Sequence, residues 1–233
     1  TRAPPAPPRA ASPTATHHAT VAGIVAAPAP PRAELASLDW ADLRAAVAAC
    51  HACALSQGRT QTVFGVGHPQ AQWLLVGEAP GEQEDLQGEP FVGPAGQLLD
   101  RMLAALGLTR AEEGPEPPAQ RVYIANTLKC RPPRNRNPAP DEMARCEPFL
   151  LRQIELLQPR LILAMGRFAV QSLLRSDEPV GKLRGRVHRY QGRPLVVTYH
   201  PAYLLRSPAN ARRLLTAIQD LESGKGKARK LAT

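Results

Sequence analysis

Short, almost wholly apolar runs at 73–76, 122–125, 161–164 and 195–199 recur along the chain, with helical patterns between them. A strand that is apolar on both faces needs cover on both faces, and parallel sheets wrapped by helices supply it. Between the runs, Leu43, Val47 and Cys50 follow the caps Ser37 or Asp39 at helical spacing. Pro94 suits a first helical position, Leu98, Met102 and Leu106 repeat every four residues, and Gly107 can supply a left-handed cap. Residues 141–157 read as a helix interrupted or restarted at Pro148, and 166–174 and 209–221 as further helices. Residues 186–190 pair with 195–199 across Gln191-Gly192, and the Pro/Gly-rich stretch 109–120 is a surface loop. The alternation predicts an α/β fold with a mainly parallel sheet between helical layers.

Composition sets the limits of that fold. Residues 1–33 are rich in Pro and Ala and carry no acid, so they cannot bury enough apolar surface to offset ordering and are expected to be a disordered tail. The folded domain is expected over 34–222, followed by a loose basic tail over 223–233. No stretch reaches the roughly 18 apolar residues of a membrane span, and 21–27 is too short and poorly flanked for a signal peptide. A cytoplasmic protein that does not engage membranes is expected.

The chain of 233 residues has a net charge of +9, and from Gly181 to Gln219 it carries eight Lys or Arg and no acid. A polyanion partner is one reading, a solvated basic face the other. Lys129, Arg131, Arg134 and Arg136 form a second basic group, in a loop stiffened by prolines.

Four cysteines are too few for a disulfide scaffold but enough for one metal site. Cys50 and Cys53 form a close pair, Cys130 follows a strand and Cys146 lies in the next helix. Four thiolates suit a [4Fe-4S] cluster or a structural zinc, although the wide second spacing is unlike a zinc ribbon. Ordinary buried thiols are the bland alternative.

Two further segments could carry chemistry. Gly77-Glu78-Ala79-Pro80-Gly81-Glu82-Gln83-Glu84-Asp85 follows a buried strand, at the strand end where α/β sheets bind ligands. It lacks the Gly-Lys-Ser/Thr ending of a phosphate loop, and an acidic turn is its plainer reading. His200-Pro201-Ala202-Tyr203-Leu204-Leu205-Arg206 follows the last apolar run; its leucines could wedge a base stack. Phe91, flanked by glycines, could stack on a base or simply pack in the core.

Together these segments, with Asn126-Thr127-Leu128-Lys129-Cys130-Arg131-Pro132-Pro133 and the four cysteines, resemble the family 4 uracil-DNA glycosylases, the iron-sulfur branch of their superfamily. The resemblance covers about 38–221. It implies a three-layer fold with a central four-stranded, mainly parallel sheet, and hydrolysis of the N-glycosidic bond of flipped-out deoxyuridine at the start of base excision repair. It assigns Asn126 to reading the uracil edge, Phe91 to stacking, His200 to donating toward O2, and Glu78 with the Ala79 backbone to holding water, with Glu84 in the pocket. It implies that Cys50, Cys53, Cys130 and Cys146 hold a [4Fe-4S] cluster, and that Lys129, Arg131, Arg134, Leu204, Leu205 and Arg206 meet DNA. The Lys-Arg-Arg-Ile-His loop of a covalently trapped branch is missing, so turnover is expected, by a monomer acting on single- or double-stranded uracil DNA. A non-enzymatic nucleic-acid-binding module and a cluster-based electron carrier are the rival classes; neither calls for the Asn126/His200 pocket.

Overall fold

The computed structural model describes residues 32–206. The expected Pro/Ala tail, the 209–221 helix and the 223–233 basic tail lie outside the described residues, apart from Arg32 and Ala33. The elements run α1 (Arg32–Leu35), α2 (Trp40–Ala48), β1 (Val66–Gly67), β2 (Trp73–Gly77), α3 (Glu82–Gln87), α4 (Pro94–Ala105), β3 (Val122–Asn126), α5 (Pro140–Leu157), β4 (Leu161–Met165), α6 (Arg167–Leu174), α7 (Val180–Leu183), β5 (Val187–Tyr190), β6 (Arg193–Thr198) and α8 (Pro201–Leu205).

The sheet order is β1-β3-β2-β4-β6-β5. The four inner strands β3, β2, β4 and β6 are parallel, while β1 and β5 add antiparallel edges. The four-stranded expectation is therefore extended to six strands. β1 pairs only two residues, too few to leave a period in the sequence. β2, β3 and β4 are buried at every position because α4 covers one face of the sheet while α5 and α6 cover the other. Gln191 and Gly192, both with positive φ, make the tight turn between β5 and β6.

Two local readings change. The acidic segment after β2 is a loop only as far as Gly81, where α3 begins. α5 passes through Pro148 without a break, leaving the carbonyl of residue 144 without its usual donor. The 109–120 segment is the expected surface loop, and the buried Arg121 guanidinium pins it by donating to the carbonyls of Glu112, Gly114 and Glu116. No helix among the described residues is long and apolar enough to cross a membrane.

Candidate active site

Parallel strands all deliver their carboxyl ends to one edge of the sheet, and there the chain leaves β2 at Glu78, β3 at Asn126 and β6 toward His200. Glu78, Ala79, Glu84, Phe91, Asn126 and His200 line one cavity of about 330 Å³. Residues 122 positions apart in sequence meet because the sheet ordering puts β2 between β3 and β4, with β6 next.

Asn126 ends β3 opposite Gly77 of β2. It is 2% exposed, and its buried Oδ1 has no hydrogen-bond partner. A buried acceptor left unmatched costs about 1–3 kcal/mol, so this one stands ready for a donor entering the cavity. Phe91 is held at φ 57°, a conformation costly for an aromatic residue, and its ring lies 5.4 Å from that of His200. Glu84 enforces that conformation. Its Oε1 accepts from the N–H groups of Val92 and Gly93 at 3.0 and 2.9 Å, and its Oε2 from Gly81 at 3.1 Å. Glu84 thus ties the water-loop candidate to the Phe91 loop, with both oxygens committed to backbone. Behind Phe91, a side chain at Gly96 of α4 would collide with the Phe91 carbonyl, so the loop is pressed directly onto that helix.

His200 caps α8: its Nδ1 accepts from the Ala202 N–H at 3.2 Å. That bond fixes the neutral tautomer with its proton on Nε2. Burial, reinforced by Arg206, pushes the His200 pKa down to about 4. Burial also raises the Glu78 pKa, while the charges of Arg167 and Arg206 partly restrain it. Arg167 opens α6, a position that motif reading missed because its partner Glu78 lies 89 residues away.

The basic residues divide. Arg206 and Arg167 border a second cavity that shares Glu78, Ala79 and His200 with the first. Arg189 and Arg193 lie at the β5–β6 turn, at the opposite end of the strands, so the basic stretch is not one continuous face. Arg134 is exposed at φ 55°, and Arg131 is tied to Asn135 at 2.7 Å and to Glu82 at 3.5 Å. Lys129 corrects the expectation of a phosphate contact. It is 1% exposed, with its ammonium bonded to the Asn126 carbonyl at 3.0 Å and Gln153 at 2.6 Å. Burial pushes its pKa down to about 8, against the opposing pull of negative charge at Cys146 and Cys130.

The two leucines separate as well. Leu204 is 7% exposed and packs in the core under α4, whereas Leu205 is 48% exposed. Leu204→Ala is therefore expected to cost about 2–5 kcal/mol of stability and, for the uracil excision that the family resemblance implies, to slow release from single and double strands alike. Leu205→Ala should slow excision from duplex roughly ten- to a hundredfold and leave single strands nearly unchanged, since only a duplex has a stack to wedge. Parallel rate measurements on the two substrates check both expectations; equal losses for Leu205→Ala would remove it as a wedge.

Cys50, Cys53, Cys130 and Cys146 line one cavity between the end of α2, the segment after β3 and α5. Burial raises the thiol pKa values of Cys53 and Cys130, and that of Cys146 to about 12, and neighbouring cysteines raise each further. Thiolates there need donors and positive charge. Arg59 donates to Cys130 Sγ at 3.1 Å and the Lys129 N–H to Cys146 Sγ at 3.2 Å. Donors already aimed at sulfur fit a thiolate-bound group. Among the described residues, no three His, Cys, Asp or Glu side chains gather closely enough to share a single metal ion.

The chain matches the family model of the uracil DNA glycosylase superfamily over residues 64–222 and belongs to that superfamily. Its similarity runs to the type-4 members. The type-4 uracil-DNA glycosylase of Archaeoglobus fulgidus is 41% identical over 180 residues, covering 74% of this chain and 85% of that protein. The type-4 enzyme of Thermotoga maritima is 40% identical over 178 residues, or 76% and 88% of the two chains. That of Sulfurisphaera tokodaii is 42% identical over 178 residues, or 72% and 76%.

Proposed function

We propose that this chain is a monofunctional uracil-DNA glycosylase that removes uracil from DNA and leaves an abasic site, the first step of base excision repair. The observation that carries the reading is the unpartnered Asn126 Oδ1 buried at the cavity wall. Uracil presents N3–H to such an acceptor and O4 to the amide N–H₂, whereas cytosine presents an acceptor and a donor in the reverse order. A site built for one pattern rejects the other.

A base can reach this cavity only when flipped out of its stack. There Phe91 offers its ring face, and His200 Nε2–H lies among the residues around the base edge, able to bond O2 as negative charge develops on the leaving uracil. A neutral imidazole suits the role because its proton is shared with the anion rather than lost to solvent. Glu78, whose pKa burial raises against the partial restraint of Arg167 and Arg206, orients water toward C1′ of the oxocarbenium-like sugar. The N1–C1′ bond breaks with its electron pair on uracil, water oxygen bonds C1′, and the water proton passes to the medium or to the released base. Among the described residues no lysine lines the cavity, so none of them offers a Schiff-base nucleophile to the sugar.

The four cysteines are read as ligands of a [4Fe-4S] cluster, supported by the sulfur-directed donors of Arg59 and Lys129. The cluster would supply structural cross-linking and negative charge facing Lys129. The Lys129 ammonium, in turn, holds the Asn126 carbonyl at the cavity floor. The chain is also read as a cytoplasmic monomer.

Protein purified without oxygen, incubated with a uracil-bearing oligonucleotide and treated with alkali, should cut the strand at uracil and leave a cytosine control intact. The same preparation should be brown and carry about four irons per chain. Absence of alkali-labile sites would overturn the activity, and one equivalent of zinc without iron would replace the cluster by a structural zinc.

A further inference from the structure

We propose that Tyr203, stacked on Tyr199, is the platform for a base adjacent to the flipped uridine, so that the enzyme binds a dinucleotide unit rather than an isolated uridine. The proposal rests on the uracil-DNA reading above and adds a second subsite to it. Tyr199 and Tyr203 bracket His200, and their rings lie 5.5 Å apart at an interplanar angle of 26°. The Arg184 guanidinium sits 5.9 Å from the Tyr199 ring centroid. The two tyrosines thus form a ladder, with a guanidinium beside it, on which a nucleobase can stack.

Position and charge indicate the same occupant. The ladder borders a cavity of about 870 Å³ that opens beside the uracil cavity and shares Glu78, Ala79 and His200 with it. A nucleotide chain with one base in the first cavity can therefore place its neighbour in the second. Arg167 and Arg206 also line this cavity, and Glu78 is its one acidic residue among those described, so it favours a phosphate-linked ligand. Leu204 beside it is 7% exposed, whereas Tyr203, in the middle of the same short helix, is 37% exposed and presents part of its ring to solvent.

The test uses the full chain and single-stranded oligonucleotides with one uracil, in which the nucleotide on the 5′ or on the 3′ side carries either a base or a baseless tetrahydrofuran residue. Removal of the base on one of the two sides is expected to lower kcat/KM of the unsubstituted protein roughly tenfold. Tyr203→Ala should lose a similar factor on the base-bearing substrate and no longer distinguish the baseless one. Tyr203→Phe should behave as the unsubstituted protein, because the ring and not the hydroxyl is used. Indifference of the unsubstituted protein to the neighbouring base on both sides would overturn the proposal, as would a Tyr203→Ala protein that keeps the full preference. Failure to release uracil from the fully base-bearing oligonucleotide would instead overturn the activity itself, a result distinct from release that ignores the neighbour.

Discussion

His200→Ala is expected to slow uracil release by about 10²–10³-fold on single-stranded and duplex substrates alike, the usual consequence of deleting a donor aimed at developing negative charge. The loss should fall on kcat, because the interaction strengthens only as the leaving group becomes anionic. Its pH signature separates the mechanism from an imidazolium acid. With the Ala202 N–H on Nδ1 and a pKa pushed down to about 4, His200 stays neutral across the ordinary range, so no loss of rate should appear near pH 6.5. The acid limb should come from Glu78, whose carboxylate burial holds above its usual range. Glu78→Gln should abolish that limb. Stability should carry its own mark. Unfolded His200 takes up a proton near pH 6.5 while the folded form resists until about 4, so its contribution is complete above 6.5 and is lost as the pH falls toward 4. Denaturant titrations between those limits should show a smaller slope for His200→Ala, and a rate profile that breaks near 6.5 would refute the neutral-imidazole assignment.

The parts of this molecule that follow from periodicity could be read in its sequence. The runs at 73–76, 122–125 and 161–164 are strands because both faces of the sheet are covered, and the repeat of Leu98 and Met102 is α4 because one stripe meets that sheet. Properties set by neighbours distant in sequence were not legible. Lys129, in a run of basic residues, looks like a surface charge; only the approach of Gln153 from α5 and the cysteines around it make a buried position tolerable. Leu204 and Leu205 are identical in type, and the packing of α8 under α4 alone decides which is core. Glu84 lines the cavity as expected, but both its oxygens hold loop N–H groups, a role that depends on the fold of the Phe91 loop and is not visible in the motif. The motifs located the site; they did not separate the groups facing the ligand from those holding the loops in place.

Gly77→Ala should lower uracil release by about three orders of magnitude while the sheet survives, since small misplacements of reacting groups are costly. Gly77 is the last residue of β2, an ordinary strand position for alanine as far as its neighbours along the chain are concerned. Its fault lies in space: a Cβ there would sit 2.4 Å from Asn126 Oδ1 and 2.6 Å from Phe91 Cζ. Neither side chain can retreat freely. Phe91 is fixed by the Glu84 bonds to Val92 and Gly93 and backed against Gly96, where its carbonyl already occupies the space of a side chain. Asn126 is anchored through its own carbonyl by Lys129 and through its strand register with β2. The methyl therefore displaces the two groups that recognise the base, and a displaced Asn126 loses the geometry that rejects cytosine. Overpacking at one strand end costs about 1–3 kcal/mol, so the protein should still fold and, on the proposed cluster reading, keep its iron. Uracil release, thermal unfolding and iron content measured on the same preparation test this; a Gly77→Ala protein with near-normal release would mean that the Asn126–Phe91 gap is not where the base is held.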